Sequence, residues 1–162
     1  MEGKFNSLEV IKMAMNIEEQ GEKFYTHCAQ AQSNSTAKKI FNKLSQDEND
    51  HYQLFSNMLK EFENQESINR DYLENQEVNG YLSSLVNSKV FPETKEEAEK
   101  IATNSKEAIN RGIQAEKDSL LLYLELVKLE KDKTTIEALE RLILEEKKHL
   151  TQLKDLKSKL VD

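Results

Sequence analysis

A chain of 162 residues can bury a hydrophobic core without disulfides or structural metals, and we expect one domain over residues 1–162. The formal net charge of −7 argues against nucleic-acid binding and against an anionic membrane surface. The single cysteine, Cys28, excludes an intrachain disulfide and any zinc or iron–sulfur site held by several cysteines.

The apolar segments argue against export or membrane insertion. The N-terminal stretch MEGKFNSLEVIKM has no cleavable apolar core. The longest apolar stretch, Leu120 to Val127, contains Glu125 and is too short to span a bilayer. We therefore expect a cytoplasmic protein.

Hydrophobic periodicity predicts an all-α fold with four long helices. The four glycines and one proline leave little room for a turn-rich β fold. Apolar residues recur three and four positions apart in four segments: residues 6 to about 32, about 36 to 64, about 105 to 130 and about 134 to 160. The cluster Ser33 to Thr36 offers N-caps for the second helix, and Lys131 to Thr135 provides a second short turn. Each pair of helices is therefore expected to form an antiparallel hairpin.

The segment 65–104 connects the two hairpins. Its first part contains a short amphipathic pattern, formed by Val78, Tyr81, Leu82, Leu85 and Val86. The only proline, Pro92, closes this piece, and Thr94 to Glu97 is a capping-box sequence for another short helix. The segment is long enough to cross a bundle lengthwise. Two helical hairpins joined by one long crossover are typical of a ferritin-like four-helix bundle.

One pattern occurs twice along the chain. The second and fourth helices each carry Glu-x-x-His at the centre of an apolar face, and the first and third each carry a glutamate followed by a tyrosine two turns later. The corresponding residues, 98 positions apart, are Glu18 and Glu116, Tyr25 and Tyr123, Glu48 and Glu146, and His51 and His149. We interpret this as an internal duplication built around one shared site.

The duplicated carboxylates and imidazoles predict a centre for two metal ions. One such glutamate is usually solvated, and one such histidine is usually a hydrogen-bonded core residue. The whole set is different, because each unpaired buried ion costs several kcal/mol and no Lys or Arg lies on the same faces. Two divalent ions would neutralise four carboxylates, and oxygen and nitrogen ligands suit iron or manganese. The predicted metal ligands are Glu18, Glu48, His51, Glu116, Glu146 and His149.

The arrangement of the ligands is only partly determined by the spacing. Each Glu-x-x-His pair can hold one metal ion, since residues three apart share one helix face. Glu18 and Glu116 then either complete the two sites or bridge them. Tyr25 and Tyr123 are expected to donate hydrogen bonds to ligand carboxylates and fix their orientation, although core tyrosines bonded elsewhere would show the same pattern.

Several neighbouring residues have two interpretations. Acidic residues beside the ligands, Asp47, Asp50 and Glu145, could accept hydrogen bonds from the histidines, but we predict that they are exposed charges. Glu22 is predicted to be solvated rather than an additional ligand. Two helical glycines, Gly21 and Gly112, either leave room for a small oxidant or allow close packing. His27 is predicted to lie on the surface, and Cys28 in the core.

Four segments resemble the rubrerythrin-type branch of the ferritin-like superfamily. They are IEEQGEKFY at 17–25, LSQDENDH at 44–51, EKDSLLLY at 116–123 and LEEKKH at 144–149. The resemblance covers nearly the whole chain, apart from the crossover at 65–104. It implies that the six predicted ligands hold a non-haem di-iron centre, with redox chemistry on hydrogen peroxide or dioxygen, and that the protein is a homodimer.

The sequence departs from that family at two points. Rubrerythrins proper carry a rubredoxin-like domain with two Cys-x-x-Cys pairs, which this sequence lacks, so we expect an external electron donor. They also tend to have a glutamate one turn after the third-helix ligand, where this chain has Ser119. The resemblance therefore does not by itself imply the peroxidase cycle, which uses that carboxylate when iron shifts ligands. Alternatives are a manganese catalase, a non-catalytic iron-binding or iron-buffering protein, and a structural bundle.

Overall fold

The computed structural model of the chain describes residues 6–64 and 76–160, and these residues form six helices without a strand. The helices are α1 (Ser7–Ala31), α2 (Ser35–Asn64), α3 (Gln76–Ser88), α4 (Lys95–Ala102), α5 (Ser105–Leu129) and α6 (Lys133–Leu160). The four long ones match the four predicted helices within one or two residues. The all-α fold and the two hairpins are thereby confirmed.

Side-chain caps explain where the first hairpin begins and turns. Asn6 and Glu9 form a capping box at α1, in which each side chain accepts a hydrogen bond from the other's backbone N–H at 3.0 Å. Within the predicted capping cluster, Asn34 Oδ1 accepts from the Ala37 N–H at 3.0 Å. Orphan N–H groups at both helix starts are thus satisfied.

Side-chain caps also lie at the starts of both helices of the second hairpin. Asn104 Oδ1 accepts from the Glu107 N–H at 3.1 Å at the start of α5. In the predicted second turn, Asp132 Oδ2 accepts from the Thr135 N–H at 2.8 Å, and α6 begins at Lys133.

The crossover places two short helices between the hairpins. Thr94 caps α4 by accepting from the Glu97 N–H at 3.2 Å, and Pro92 lies between α3 and α4 as predicted. Positions 65–75 lie outside the described residues, as do the side chains of Val78, Leu85 and Val86 in the predicted amphipathic piece.

The four long helices turn their apolar faces towards one core. α1 packs along α2 and α5 along α6, with further contacts between α1 and α5 and between α2 and α6. α4 packs against α1 and α5 through buried Ala98 and Ala102. Cys28 is fully buried in this core, which confirms the prediction for it. None of the helices described combines the length and the apolar run that a bilayer crossing requires.

Candidate metal centre

The structure brings all six predicted metal ligands together in the middle of the bundle. Glu18 comes from α1, Glu116 from α5, and the two Glu-x-x-His pairs come from α2 and α6. Their exposed fractions lie between 0% and 3%, the members being Glu18, Glu48, His51, Glu116, Glu146 and His149. Faces of the four long helices that otherwise bury mainly apolar residues therefore also place four carboxylates and two imidazoles in the interior.

The six residues form two overlapping groups of four. The first half-site comprises Glu18 and His51, the second comprises Glu116 and His149, and both include the shared pair Glu48 and Glu146. Within each group of four, one ligand atom per residue lies within 4.8 Å of all the others. The spacing left open whether Glu18 and Glu116 complete or bridge the sites. Here each belongs to one half-site, and the glutamates of the two Glu-x-x-His motifs lie between them.

Three carboxylates from three helices surround the inner nitrogen of His51. Its Nδ1 lies 2.8 Å from Glu146 Oε1, 3.5 Å from Glu18 Oε2 and 3.5 Å from Glu48 Oε2. Ligand atoms that are each about 2.1 Å from one metal ion stand ~3–4 Å apart. The two separations of 3.5 Å fall in this range, whereas 2.8 Å is the distance of a close ion pair.

The inner nitrogen of His149 has equivalent surroundings. Its Nδ1 lies 3.2 Å from Glu146 Oε2, 3.6 Å from Glu48 Oε1 and 3.7 Å from Glu116 Oε2. The two imidazole rings stack with centroids 5.5 Å apart. The two half-sites therefore lie side by side across the shared pair.

The outer nitrogens of the histidines bond acidic residues of the opposite hairpin. His51 Nε2 lies 2.8 Å from Glu145 Oε2, and His149 Nε2 lies 3.1 Å from Asp47 Oδ2. Burial raises the pKa of Asp47, but the hydrogen bonds from His149 and Lys43 bring it below its ordinary value, so this carboxylate is ionised. An ionised carboxylate accepts, so Nε2 carries the N–H of this bond and Nδ1 is the ring nitrogen that faces the carboxylates of the centre.

The prediction of exposed charges was therefore wrong for Asp47, which is half-buried, and incomplete for Glu145, which is exposed but also accepts a bond from a histidine. Asp47 and Glu145 accept the outer hydrogen bonds, while Asp50 is exposed as predicted. The sequence did contain evidence for these two hydrogen bonds. Asp47 and Glu145 are themselves 98 positions apart and thus belong to the duplicated pattern.

The two tyrosines also reach across the bundle. Tyr25 of α1 donates to Glu116 of α5 at 2.5 Å, and Tyr123 of α5 donates to Glu18 of α1. Both rings are fully buried. Each hydroxyl thus satisfies one carboxylate oxygen and leaves the other oxygen of that carboxylate directed to the centre.

Buried atoms without hydrogen bonds converge on the space between the carboxylates. Among the residues that the structure describes, five such atoms at this centre lack a partner: Glu18 Oε2, His51 Nδ1, Glu146 Oε1, Glu146 Oε2 and His149 Nδ1. Their nearest polar neighbours are one another, as in the ion pairs of His51 Nδ1 with Glu146 Oε1 at 2.8 Å and of His149 Nδ1 with Glu146 Oε2 at 3.2 Å, and a buried polar atom left without a hydrogen bond costs about 1–3 kcal/mol. Two divalent cations would satisfy these atoms and cancel the charge of the four carboxylates, so the donor set fits a pair of metal ions.

Protons neutralise the cluster when no metal is bound. Burial raises the pKa of Glu116 to about 8, to which the charge of Glu146 adds. Burial and the charge of Glu48 likewise raise the pKa of Glu18 well above its ordinary value. Burial alone would lower the pKa of His51, but the carboxylates of Glu146 and Glu18 raise it far above its ordinary value. In the metal-free protein, protons bound to these side chains thus take the charge-cancelling role that metal cations would have.

Both glycines near the centre serve close packing. A Cβ atom at Gly21 would lie 3.0 Å from the ring of Phe91, and one at Gly112 would lie 3.1 Å from Leu153 and 3.3 Å from Tyr25. The space beside each glycine is therefore filled by a neighbouring side chain. The sequence did not predict that Phe91 packs near the centre, since Phe91 lies in the irregular segment between α3 and α4.

The remaining candidates lie outside the two groups. Glu22 and His27 are half-buried, so the surface prediction for His27 holds only in part. Ser119 is buried one turn after Glu116, at the position that corresponds to Gly21 in the first half.

A model of the rubrerythrin family matches residues 9–157. A protein from Thermotoga maritima described as a ferritin-like diiron-carboxylate protein has a similar fold, with a TM-score of 0.74, 24% identity and 96% of each chain covered. A hypothetical protein from Pyrococcus furiosus aligns with a TM-score of 0.68 and 18% identity over 95% of this chain and 89% of its own. At these identities the two structures show the fold alone. No curated protein matches the chain.

Proposed function

This chain belongs to the rubrerythrin family, and we propose that it is a non-haem di-iron protein that reduces hydrogen peroxide or dioxygen with electrons from an external donor. The observation that carries the proposal is the pair of overlapping half-sites with unsatisfied donor atoms aimed between them. The Thermotoga maritima protein is described as diiron, which supports iron over manganese as the metal.

The proposed ligands have distinct roles. His51 and Glu18 would hold one ion and His149 and Glu116 the other, while the shared pair would contact both. When bound there, two iron ions supply redox chemistry, namely two electrons for a small oxidant. The protein itself orients the ligands through Tyr25 and Tyr123 and keeps bulk water away from the centre.

A second candidate is iron binding or buffering without turnover. Two observations favour it. Phe91 fills the space beside Gly21, which a small oxidant could otherwise use, and Ser119 stands where rubrerythrins tend to have a further carboxylate. In this case the same six ligands take up and release iron, and peroxide is not consumed catalytically.

Homodimer formation and the identity of the electron donor are further parts of the proposal. The resemblance supports the dimer, and the sequence, with its single Cys28, contributes no cysteine-ligated iron site of its own. Measurement of the mass in solution tests the dimer directly.

Peroxide turnover separates the two candidates. The iron-loaded protein is reduced anaerobically, mixed with hydrogen peroxide and supplied with a chemical reductant, and peroxide consumption is followed over many equivalents. We expect continued consumption by the wild type and by Asp50→Asn, an exposed change in α2. We expect none by the double variant Glu48→Ala/Glu146→Ala. A single equivalent consumed by the iron-loaded wild type, with no further turnover, would contradict catalysis and leave the binding function.

A further inference from the structure

The two half-sites contain the same residue types but are supported unequally. We propose that they bind metal with different affinities, and that the second half-site, of Glu116 and His149, holds its ion more tightly than the first, of Glu18 and His51. The inference rests on the proposed metal binding, but it does not depend on redox turnover.

The first difference concerns the carboxylates that orient the histidines. Asp47, which accepts from His149, has a side chain only 17% exposed, whereas Glu145, which accepts from His51, is 51% exposed. Water competes for an exposed hydrogen bond, and a long free side chain loses rotamer entropy when it holds one geometry. His149 is therefore held more firmly than His51.

A neighbouring lysine strengthens this difference. Lys43, one turn before Asp47 on α2, forms an ion pair with it; this lysine is 60% exposed, so the pair adds a small restraint to the bond from His149. Glu145 has no such cation partner among the described residues. The bond to Glu145 is the shorter one, 2.8 Å against 3.1 Å, but both lengths are ordinary for N–H···O bonds and exposure separates the two more clearly.

The second difference concerns the tyrosines that bond the terminal glutamates. The ring of Tyr25, which donates to Glu116, has three aromatic neighbours at centroid distances of 5.4, 6.1 and 5.7 Å: Phe24, Phe41 and Phe91. The ring of Tyr123, which donates to Glu18, has one such neighbour among the described residues, Phe55 at 5.2 Å. The hydroxyl and ring edge of Tyr25 also lie 3.3 Å from the Cβ position at Gly112.

The crossover contributes to the second of these differences through Phe91. Phe91 lies between α3 and α4 and reaches the space beside Gly21, where a Cβ would meet its ring at 3.0 Å. Tyr25, which donates to Glu116, and Asp47, which accepts from His149, are thus restrained by neighbours that their counterparts at the first half-site lack among the described residues. A preorganised ligand set loses less entropy on binding, and partners that orient metal ligands contribute about 10–100-fold in affinity.

Stepwise titration of the metal-free protein with Co²⁺ alone tests the inference. Absorption bands of bound Co²⁺ report each step, and chelator competition gives the two dissociation constants. We expect two Co²⁺ ions per wild-type chain, with constants about 10-fold or more apart. His149→Ala should abolish the tighter step and His51→Ala the weaker one.

Conservative variants separate orientation from folding. Asp47→Asn should weaken the tighter step about 10–100-fold and leave the weaker step within a few-fold of the wild type. Glu145→Gln should affect only the weaker step, and by less. Asp50→Asn is the matched control on the exposed face of α2 and should change neither. Helical circular dichroism confirms the fold of each variant.

The outcomes distinguish this inference from the proposed function. Equal constants in the wild type, or loss of the weaker step in His149→Ala, would overturn the inference and leave the metal centre intact. Unequal steps in a protein that does not consume peroxide would support the inference and contradict the enzymatic function. Failure to bind Co²⁺ would overturn both.

Discussion

At the scale of single residues, the centre contains buried groups whose charges cancel only when the whole set is considered together with its bound protons or metal ions. The four buried carboxylates are neutralised by protons on Glu18, Glu116 and both histidines, or by two divalent ions. Metal and protons therefore compete for the same atoms, and metal affinity should rise with pH.

Glu116 makes the stability of the metal-free protein depend on pH. Its pKa is raised by burial to about 8 in the folded chain from an ordinary 4.5. Its stabilising contribution is therefore complete below about pH 4.5 and is lost as the pH rises through about 8. We expect the Tm of the metal-free protein to fall by roughly 5–10 °C between pH 5 and pH 8. Glu116→Gln should reduce this fall, while Glu140→Gln, an exposed control on α6, should leave it unchanged. A fall of the same size in both variants would contradict the assignment.

The hydroxyls of Tyr25 and Tyr123 should contribute to metal affinity more than to folding. Tyr25→Phe and Tyr123→Phe keep the buried rings but remove the hydrogen bonds to Glu116 and Glu18. We expect each to weaken Fe²⁺ binding about 10-fold, measured anaerobically by chelator competition, because the carboxylate is no longer oriented. Tyr52→Phe, at a half-buried α2 position outside both half-sites, is the control. Unchanged affinity in both variants would show that the hydroxyls do not orient the ligands.

Cys28 should behave as an inert core residue. Burial raises the pKa of its thiol to about 12, so the thiolate is scarce at pH 8. We expect a water-soluble disulfide reagent to react with the folded protein at least about a thousand-fold more slowly than with the protein unfolded in guanidinium chloride. Rapid reaction of the folded protein would place Cys28 at a solvent-accessible site.

At the scale of helices and loops, the four long helices were predictable and their cross-connections were not. Periodicity and capping residues such as Asn34 and Thr94 act locally, so the sequence contains them directly. The Glu-x-x-His duplication predicted which six residues meet. The outer partners of the histidines come from the opposite hairpin and so depend on how the two hairpins pack. For that reason the sequence did not predict the hydrogen bonds of Asp47 and Glu145 to the histidines.

The packing of the crossover on α1 should make Gly21 intolerant of a side chain. A Cβ there would meet the Phe91 ring at 3.0 Å, whereas a Cβ at Gly80 in α3 meets nothing within 4 Å. Alanine gains about 1 kcal/mol over glycine in a helix, but overpacking costs ~1–3 kcal/mol. We therefore expect Gly80→Ala to stabilise the protein and Gly21→Ala to be about 1–3 kcal/mol less stable than Gly80→Ala in denaturant unfolding.

A second change identifies the cause of any loss at Gly21. Phe91→Leu removes the ring edge that the new methyl group would meet, so the double variant Gly21→Ala/Phe91→Leu should be more stable than the sum of the single changes predicts. Strict additivity would show that Phe91 is not the obstacle.

At the scale of the whole molecule, two similar hairpins meet across one shared centre. The duplicated sequence explains why each half contributes one glutamate, one Glu-x-x-His pair and one tyrosine. The crossover has no counterpart in the duplication, and its Phe91 packs against Gly21 and the ring of Tyr25. Glu48 and Glu146 belong to both half-sites, whereas Glu18 and Glu116 belong to one each.

The most direct test of this account is the number of metal ions per chain after anaerobic loading with Fe²⁺ and removal of excess metal. We predict about two for the wild type, about one for Glu18→Ala, and none for Glu48→Ala/Glu146→Ala, with helical circular dichroism unchanged. A wild-type chain that retains no iron, or a folded Glu48→Ala/Glu146→Ala variant that still retains two, would contradict the centre described here.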